Sequence, residues 1–313
     1  MSAVKTDGLT KDFFSGFWRP RPRRALDALT LDIPVGGVFG LLGPNGAGKS
    51  TTFKLLVDLL RPTAGRAELL GRPAGDTGAR QRLGFLPENP SFYDHLTAEE
   101  LLGYFAGLFG LSGPERRKRA TAVLDRVGLG ADRRRPLRQY SKGMVQRVGL
   151  AQALVNDPEL IILDEPMSGL DPVGRRDVRE MIAALGTEGR TVLFSSHILT
   201  DAEELCERVG ILVGGTLVAN GRVRDLTSAE VRGWQIVATG GDEALYRRAA
   251  PGGVVRALPH GGHAIDLPGD MRPEPVIAAL AASGARLDSV TPRRSTLEDV
   301  FVRVTGASAG ERP

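Results

Sequence analysis

The stretch GPNGAGKST, Gly43 to Thr51, constrains the fold of this chain more than any other part of it. It follows a short apolar run, VFGLL, and precedes STTFKLLVDLL, whose apolar residues recur at helical spacing until a Pro and Gly breaker, RPTAG. Glycines at these positions let the backbone curl so that successive N–H groups point inward and form a nest for an anion. The helix that starts near Lys49 aims its positive dipole end at the same point. The pattern G-x-x-x-x-G-K-[ST] between strand and helix predicts a phosphate-binding loop made of Gly43, Pro44, Asn45, Gly46, Ala47, Gly48, Lys49, Ser50 and Thr51. In such a loop Lys49 reaches the β- and γ-phosphates, and the Ser50 hydroxyl ligates Mg²⁺. A plain glycine turn with a solvated Lys49 is the competing reading, and the strand-before, helix-after context disfavours it.

A second apolar run, LIILDEP, supplies two acids, Asp164 and Glu165. The run predicts a buried parallel strand, whose C-terminal edge is where open α/β sheets bind ligands. There Asp164 is placed to hold Mg²⁺ through water, and Glu165 to polarise an attacking water. Two acids after a strand are otherwise only the start of a polar loop, so the pairing with the phosphate loop decides between the readings. About 115 residues separate Lys49 from Asp164, more than a simple P-loop core needs. Two amphipathic helix candidates fill the interval, LTAEELLGYFAGLFGL and GPERRKRATAVLDRVGL, the first with Thr97 as a cap before Glu99 and Glu100. They predict an inserted helical domain over about residues 89–148. ALDALTLDIP and GGVFGLL read as strand, turn, strand; TVLFSSH reads as a further strand after the helix DVREMIAAL.

With 313 residues the chain has room for two domains of unequal size. The composition shifts near Ser228, where WQIVATG, VVRAL and HAIDL read as short strands, VIAALAASG and LEDVFVRVTG as helices. This divides the chain into 1–227 and a small α+β unit, 228–313. Only the terminal GASAGERP has the composition of a disordered tail. No apolar run, GILVGGTLVA included, exceeds strand length, and the N-terminus lacks a signal core. A lone cysteine, Cys206, excludes an internal disulfide framework and fits a reducing cytosol, so a cytoplasmic protein is expected. The basic clusters Arg19–Arg24, Glu115–Arg119 and Asp132–Arg138 sit in a chain of net charge only +4. They read as solvated faces, with lipid head groups a secondary partner for the latter two, and no nucleic acid is expected.

Four further segments, in order, complete a resemblance: GFLPEN with Glu88, YSKGMVQR (Tyr140 to Arg147), SGLD (Ser168 to Asp171) and SSH ending at His197. With these the chain resembles the nucleotide-binding subunit of an ABC transporter over about residues 5–225. The resemblance implies a RecA-like P-loop NTPase core of α/β class, with an antiparallel β subdomain and the inserted helical subdomain. It implies ATP and Mg²⁺ as cofactors, and ATP held between two head-to-tail copies of the chain. One copy would present the phosphate loop, Asp164, Glu165 and His197, with Lys49, Glu165 and His197 as the catalytic set and Ser50, Glu88 and Asp164 around the metal. The other would reach across with Ser141, Lys142, Gly143 and Asp171. The family stacks an aromatic on adenine from an early strand; Phe13 of KDFF is the candidate, with a core role as the competing reading.

Departures from the family pattern are specific. Glu88 stands where many members have Gln, and YSKGM replaces LSGGQ, so that Tyr140, Lys142 and Met144 differ while Ser141 and Gly143 remain. The closing RRSTLEDVFVRVTG resembles the C-terminal extension of bacterial drug-, lipid- or ion-export ATPases. The expectation is an export-type ATPase homodimer, peripheral to the inner face of the cell membrane, working on a separately encoded integral membrane permease. A soluble ABC ATPase acting on ribosomes or DNA is the alternative. Its ribosomal members carry two such units and its repair members a long coiled coil, neither of which is present.

Overall fold

The structure, a computed structural model, describes residues 1–15, 21–227, 231–259 and 261–306. Arg19 and Pro20 of the first basic cluster, and residues 307–313 of the terminal GASAGERP, therefore lie outside the described residues. The chain divides into two compact units, Met1–Val223 and Arg224–Pro313.

The first unit is built on a six-stranded sheet. Its strands run in the order Thr216–Arg222, Arg208–Val213, Gly37–Leu42, Thr191–Ser196, Leu160–Leu163, Leu83–Leu86. All neighbours are parallel except the Thr216–Arg222 edge, which returns antiparallel. Every residue of LIIL and of TVLFSS is buried, as parallel strands covered on both faces require. The apolar run GILVGGTLVA forms a hairpin: Gly214 and Gly215, at φ 56° and 87°, turn the chain between two strands. Only glycine tolerates two successive positive φ values without cost, which is why GG sits at the turn.

A second, antiparallel sheet has the order Arg21–Pro34, Ser2–Ser15, Ala64–Leu69, Arg72–Pro73. The sequence pattern does not reveal the Ser2–Ser15 strand. Its alternation is interrupted by Gly8 at φ 57° and by several register shifts, so the period-2 signal never runs long enough. The strand–turn–strand order expected over residues 25–42 is present, and its two strands, Arg21–Pro34 and Gly37–Leu42, enter different sheets. The core lies between those sheets, with Leu26, Leu29, Leu31 and Ile33 facing Phe39, Leu41 and Phe53. Burying Phe53 completely is worth roughly 1.5–3 kcal/mol and fixes the helix that carries Lys49. That helix spans Lys49–Leu56, four residues short of the apolar pattern, because Asp58 takes a left-handed φ of 59°.

The inserted segment forms helices Ala98–Leu108 and Gly113–Arg126. Thr97 and Glu100 make the reciprocal capping box, with Glu100 N donating to Thr97 Oγ1 at 3.2 Å and Thr97 N to the Glu100 carboxylate at 2.9 Å. The chain then returns through Pro136 to helix Lys142–Leu154, capped by Ser141.

The second unit interleaves two β-α-β segments. Strands Val254–Ala257, His263–Pro268, Val231–Thr239 and Arg286–Arg294 pair antiparallel in that order, and helices Glu243–Ala249 and Pro273–Ala282 complete the core around Ile236, Tyr246, Ile265 and Leu280. The edge strand Arg286–Arg294 escapes sequence reading because RLDSVTPRR holds a proline and few apolar residues. Helix Leu297–Thr305 closes the unit, capped by Thr296 and stopped by Gly306 at φ 64°.

Candidate functional site

The phosphate loop emerges from the C-terminal end of Gly37–Leu42 and runs directly into helix Lys49–Leu56. Two of its glycines are required on steric grounds. A Cβ on Gly43 (φ 151°) would lie 2.2 Å from Leu212 O, and one on Gly48 (φ 107°) 2.6 Å from Ala25 O. The neighbouring backbone thus allows no side chain there, and the loop keeps its curl. Lys49 is buried beneath it, Nζ donating to Gly43 O at 2.7 Å and lying 3.2 Å from Glu165 Oε1.

Asp164 and Glu165 leave the buried strand Leu160–Leu163 beside this lysine. Ser50 Oγ donates to Asp164 Oδ1 at 3.1 Å, and Ser195 Oγ donates to the same oxygen at 2.7 Å. Burial pushes the Asp164 carboxyl above the ordinary aspartate range, against the hydrogen bonds from Ser195 and Ser50. Ser195 Oγ also accepts from Glu165 N at 2.8 Å, one hydroxyl serving both acids. Glu165 adopts φ 49°, a left-handed conformation that a glutamate holds only when its surroundings impose it. Its Oε2 lies 2.9 Å from His197 Nδ1, while Oε1 is buried at ion-pair distance from Lys49 without an aligned hydrogen bond.

A cavity of about 590 Å³ opens above the loop, lined by Asn45 to Thr51, Phe13, Glu88, Glu165 and residues 23–25. Phe13 is 39 % exposed, with Lys11 Nζ 5.3 Å from its ring centroid, so the core reading of this residue is corrected. A separate cavity of about 300 Å³ is lined by Ser141, Gly143, Met144, Arg147, Leu170 and Asp171, among others. Among the described residues none lines both. Ser141 and Asp171 each start a helix: Ser141 Oγ accepts from Met144 N at 3.3 Å, and Asp171 Oδ1 from Gly174 N at 2.9 Å. Lys142 does not line that cavity; a Cβ on Gly169 would meet its Nζ at 2.1 Å, so the side chain packs over Gly169 of its own chain.

The sequence expectations therefore fall into two groups in space. Gly43 to Thr51, Glu88, Asp164, Glu165, His197 and Phe13 surround the first cavity or its floor; Ser141, Gly143 and Asp171 surround the second. Three positions carried no expected role. Ser195 is the shared hydroxyl, readable only as part of SSH; Gln146, buried, donates to Pro166 O at 3.1 Å and ties the Lys142–Leu154 helix to the acid pair's loop. Arg23, taken for a solvated loop residue, lines the first cavity opposite Phe13 in the strand register.

The donor set fits Mg²⁺. Among the described residues no cluster of three or more His, Cys, Asp or Glu is placed to hold a metal unaided. Ser50 and Asp164 instead present two hard oxygens 3.1 Å apart beside the phosphate nest, the sparse protein ligation that suits an ion sharing its sphere with phosphates and water. Asp164 and Glu165 are both buried, and the buried Lys49 pairs with Glu165, which leaves negative charge there for a divalent cation to offset.

Residues 26–168 match the ABC transporter family model. The chain is 44 % identical, over 96 % of its length and 84 % of the relative's, to an uncharacterized ABC transporter ATP-binding protein of Synechocystis. It is 36 % identical, over 90 % of its length and 92 % of the relative's, to a Nod factor export ATP-binding protein I of Burkholderia pseudomallei. Among solved structures, a dimeric ATP-binding cassette in a post-hydrolysis state with ADP and Pi superposes with a TM-score of 0.65 at 28 % identity, covering 71 % of this chain and 99 % of that one.

Proposed function

We propose that this chain, which belongs to the ABC transporter ATP-binding family, hydrolyses ATP in sites shared by two copies of itself and so drives export through a separate membrane permease. The observation that carries the shared site is the segregation of the phosphate-contacting groups. Lys49 and Glu165 line one cavity, Ser141 and Gly143 another, and no described residue is common to the two. A single chain offers two half-sites; a second copy placed head to tail completes both. The dimeric cassette with ADP and Pi supports this reading.

Within the completed site each residue has a task its geometry allows. Successive N–H groups of the loop and the start of helix Lys49–Leu56 receive the β- and γ-phosphates. Lys49 neutralises them. Glu165 presents a carboxylate, held by Ser195 at its backbone and by His197 at Oε2, toward the space where water attacks the γ-phosphate. His197 keeps that carboxylate oriented. Ser50 and Asp164, with Glu88 nearby, would hold Mg²⁺, which supplies charge neutralisation on the phosphate oxygens. Ser141 and Gly143 of the second copy would donate to the γ-phosphate, and Phe13 would stack on adenine. The unit Arg224–Pro313 is read as an accessory domain.

Export is supported by the relative named for Nod factor export. No helix among the described residues is long and apolar enough to cross a membrane; on this reading the pathway belongs to the permease, and this chain works at the inner membrane face. Glu165→Gln removes the carboxylate while preserving shape. Gel filtration with ATP and Mg²⁺ is expected to show a stable dimer with hydrolysis abolished. A variant that still turns over, or stays monomeric with ATP bound, overturns the shared-site reading.

A further inference from the structure

The helix Pro172–Thr187 is joined to both half-sites by ion pairs. Asp171, its N-cap, lies in the Ser141 cavity. One turn on, Arg175 grips Asp201 with both arms of its guanidinium, Nε to Oδ1 at 3.1 Å and Nη2 to Oδ2 at 2.6 Å. Asp201 is 97 % buried by side chain, and Arg179 adds a second cation 4.0 Å away while pairing with Glu204 at 2.6 Å. Asp201 belongs to helix Leu199–Leu205, which begins two residues after His197. The link between them is short and stiff, since Ser196 Oγ accepts from Ile198 N at 2.9 Å and donates to Ile198 O at 3.2 Å. On its other side the same long helix holds the Ser141 helix through Asp177, which accepts from Arg147 Nη2 at 2.7 Å.

We infer that Arg175 and Asp201 are positioning residues that set His197 against Glu165 and couple that setting to Asp171, an inference that rests on the two-copy site proposed above. A bidentate pair fixes distance and angle together, whereas a single contact leaves a pivot. His197 serves the ATP on its own chain's loop; Asp171 and Ser141 serve the ATP on the partner's loop. The Pro172–Thr187 helix therefore connects one ATP site to the other through side chains of one chain. Occupancy of the partner's site, felt at Asp171, reaches His197 through Arg175 and Asp201. The same pair used only as a fold clamp would leave His197 geometry insensitive to the shape of the guanidinium.

The discriminating substitution is Arg175→Lys, which keeps the charge and loses the fork. Full-length chain is assayed for phosphate release, for affinity toward a fluorescent ATP analogue, and for thermal midpoint. Arg175→Lys is expected to lower kcat about tenfold while ATP affinity changes by less than about twofold, since a misplaced orienting group costs rate rather than ground-state binding. In a His197→Ala background it is expected to add no further loss, because the residue it positions is gone. Unchanged kcat in a folded Arg175→Lys protein overturns the inference, as do losses that multiply with His197→Ala. Asp201→Asn is the second probe, expected to match Arg175→Lys; should it fail to fold, the lysine variant decides alone. Gel filtration of Glu165→Gln with ATP keeps the two readings apart: a normal dimer alongside an indifferent Arg175→Lys sinks the positioning role only.

Discussion

Removing one hydroxyl, in Ser195→Ala, tests how the acid pair is held. Ser195 is fully buried, and its Oγ donates to Asp164 at 2.7 Å while accepting from Glu165 N at 2.8 Å. The alanine leaves the Glu165 N–H without a partner in a place no water reaches, a cost of about 1–3 kcal/mol. It also removes a charge-assisted bond from a buried carboxylate, about 1.5–3 kcal/mol. One hydroxyl supplies both, so the two do not add fully, and about 3 kcal/mol is the working figure. For a unit of this size that is a fall in Tm of about 6–12 °C, read by differential scanning calorimetry. Glu165 at φ 49° loses the contact that fixes its backbone, and turnover measured by phosphate release should drop about tenfold or more. A Tm within about 2 °C of the parent and an unchanged kcat would show that the serine is incidental and the backbone strain is held elsewhere.

The other predictions concern the two ends of the nucleotide. Because burial raises the Asp164 pKa, the folded state holds that proton more tightly than the unfolded one. Between the ordinary aspartate value of 3.8 and the raised native value, stability falls as pH rises, and above the native value the penalty is constant. Asp164→Asn is therefore expected to make the nucleotide-free protein more stable at pH 7 in urea melts while abolishing Mg²⁺-dependent hydrolysis; a less stable asparagine variant contradicts the burial argument. Phe13→Ala should raise KM for ATP about tenfold, from stacking worth about 1–3 kcal/mol, with Tm nearly unmoved because the ring is 39 % exposed. A large fall in Tm at constant KM would return Phe13 to the core. Glu165→Gln, by gel filtration and phosphate release, remains the test of the shared site.

What the sequence determines by itself is local. GPNGAGKST specifies a curled loop because its glycines carry the sterically obligatory positions, and Gly43 and Gly48 indeed face backbone carbonyls at distances no Cβ tolerates. LIILDEP specifies a short buried strand with two acids at its end, since a parallel strand covered on both faces buries four apolar residues in succession. Motif order is enough to identify the family. The sequence does not determine which residues meet. The Ser195 hydroxyl reaches Asp164 only because Leu160–Leu163 and Thr191–Ser196 pair in parallel, residue for residue, with a whole helix between them. Strand Ser2–Ser15, broken by Gly8, acquires its regularity from two antiparallel neighbours, and those neighbours leave Phe13 on the cavity wall. The separation of Ser141 from Lys49, and the grip of Arg175 on Asp201, are likewise products of packing between distant segments. Short-range sterics write the loop and the strands. Long-range burial decides their company, and here it divides the groups proposed to bind phosphate into two halves.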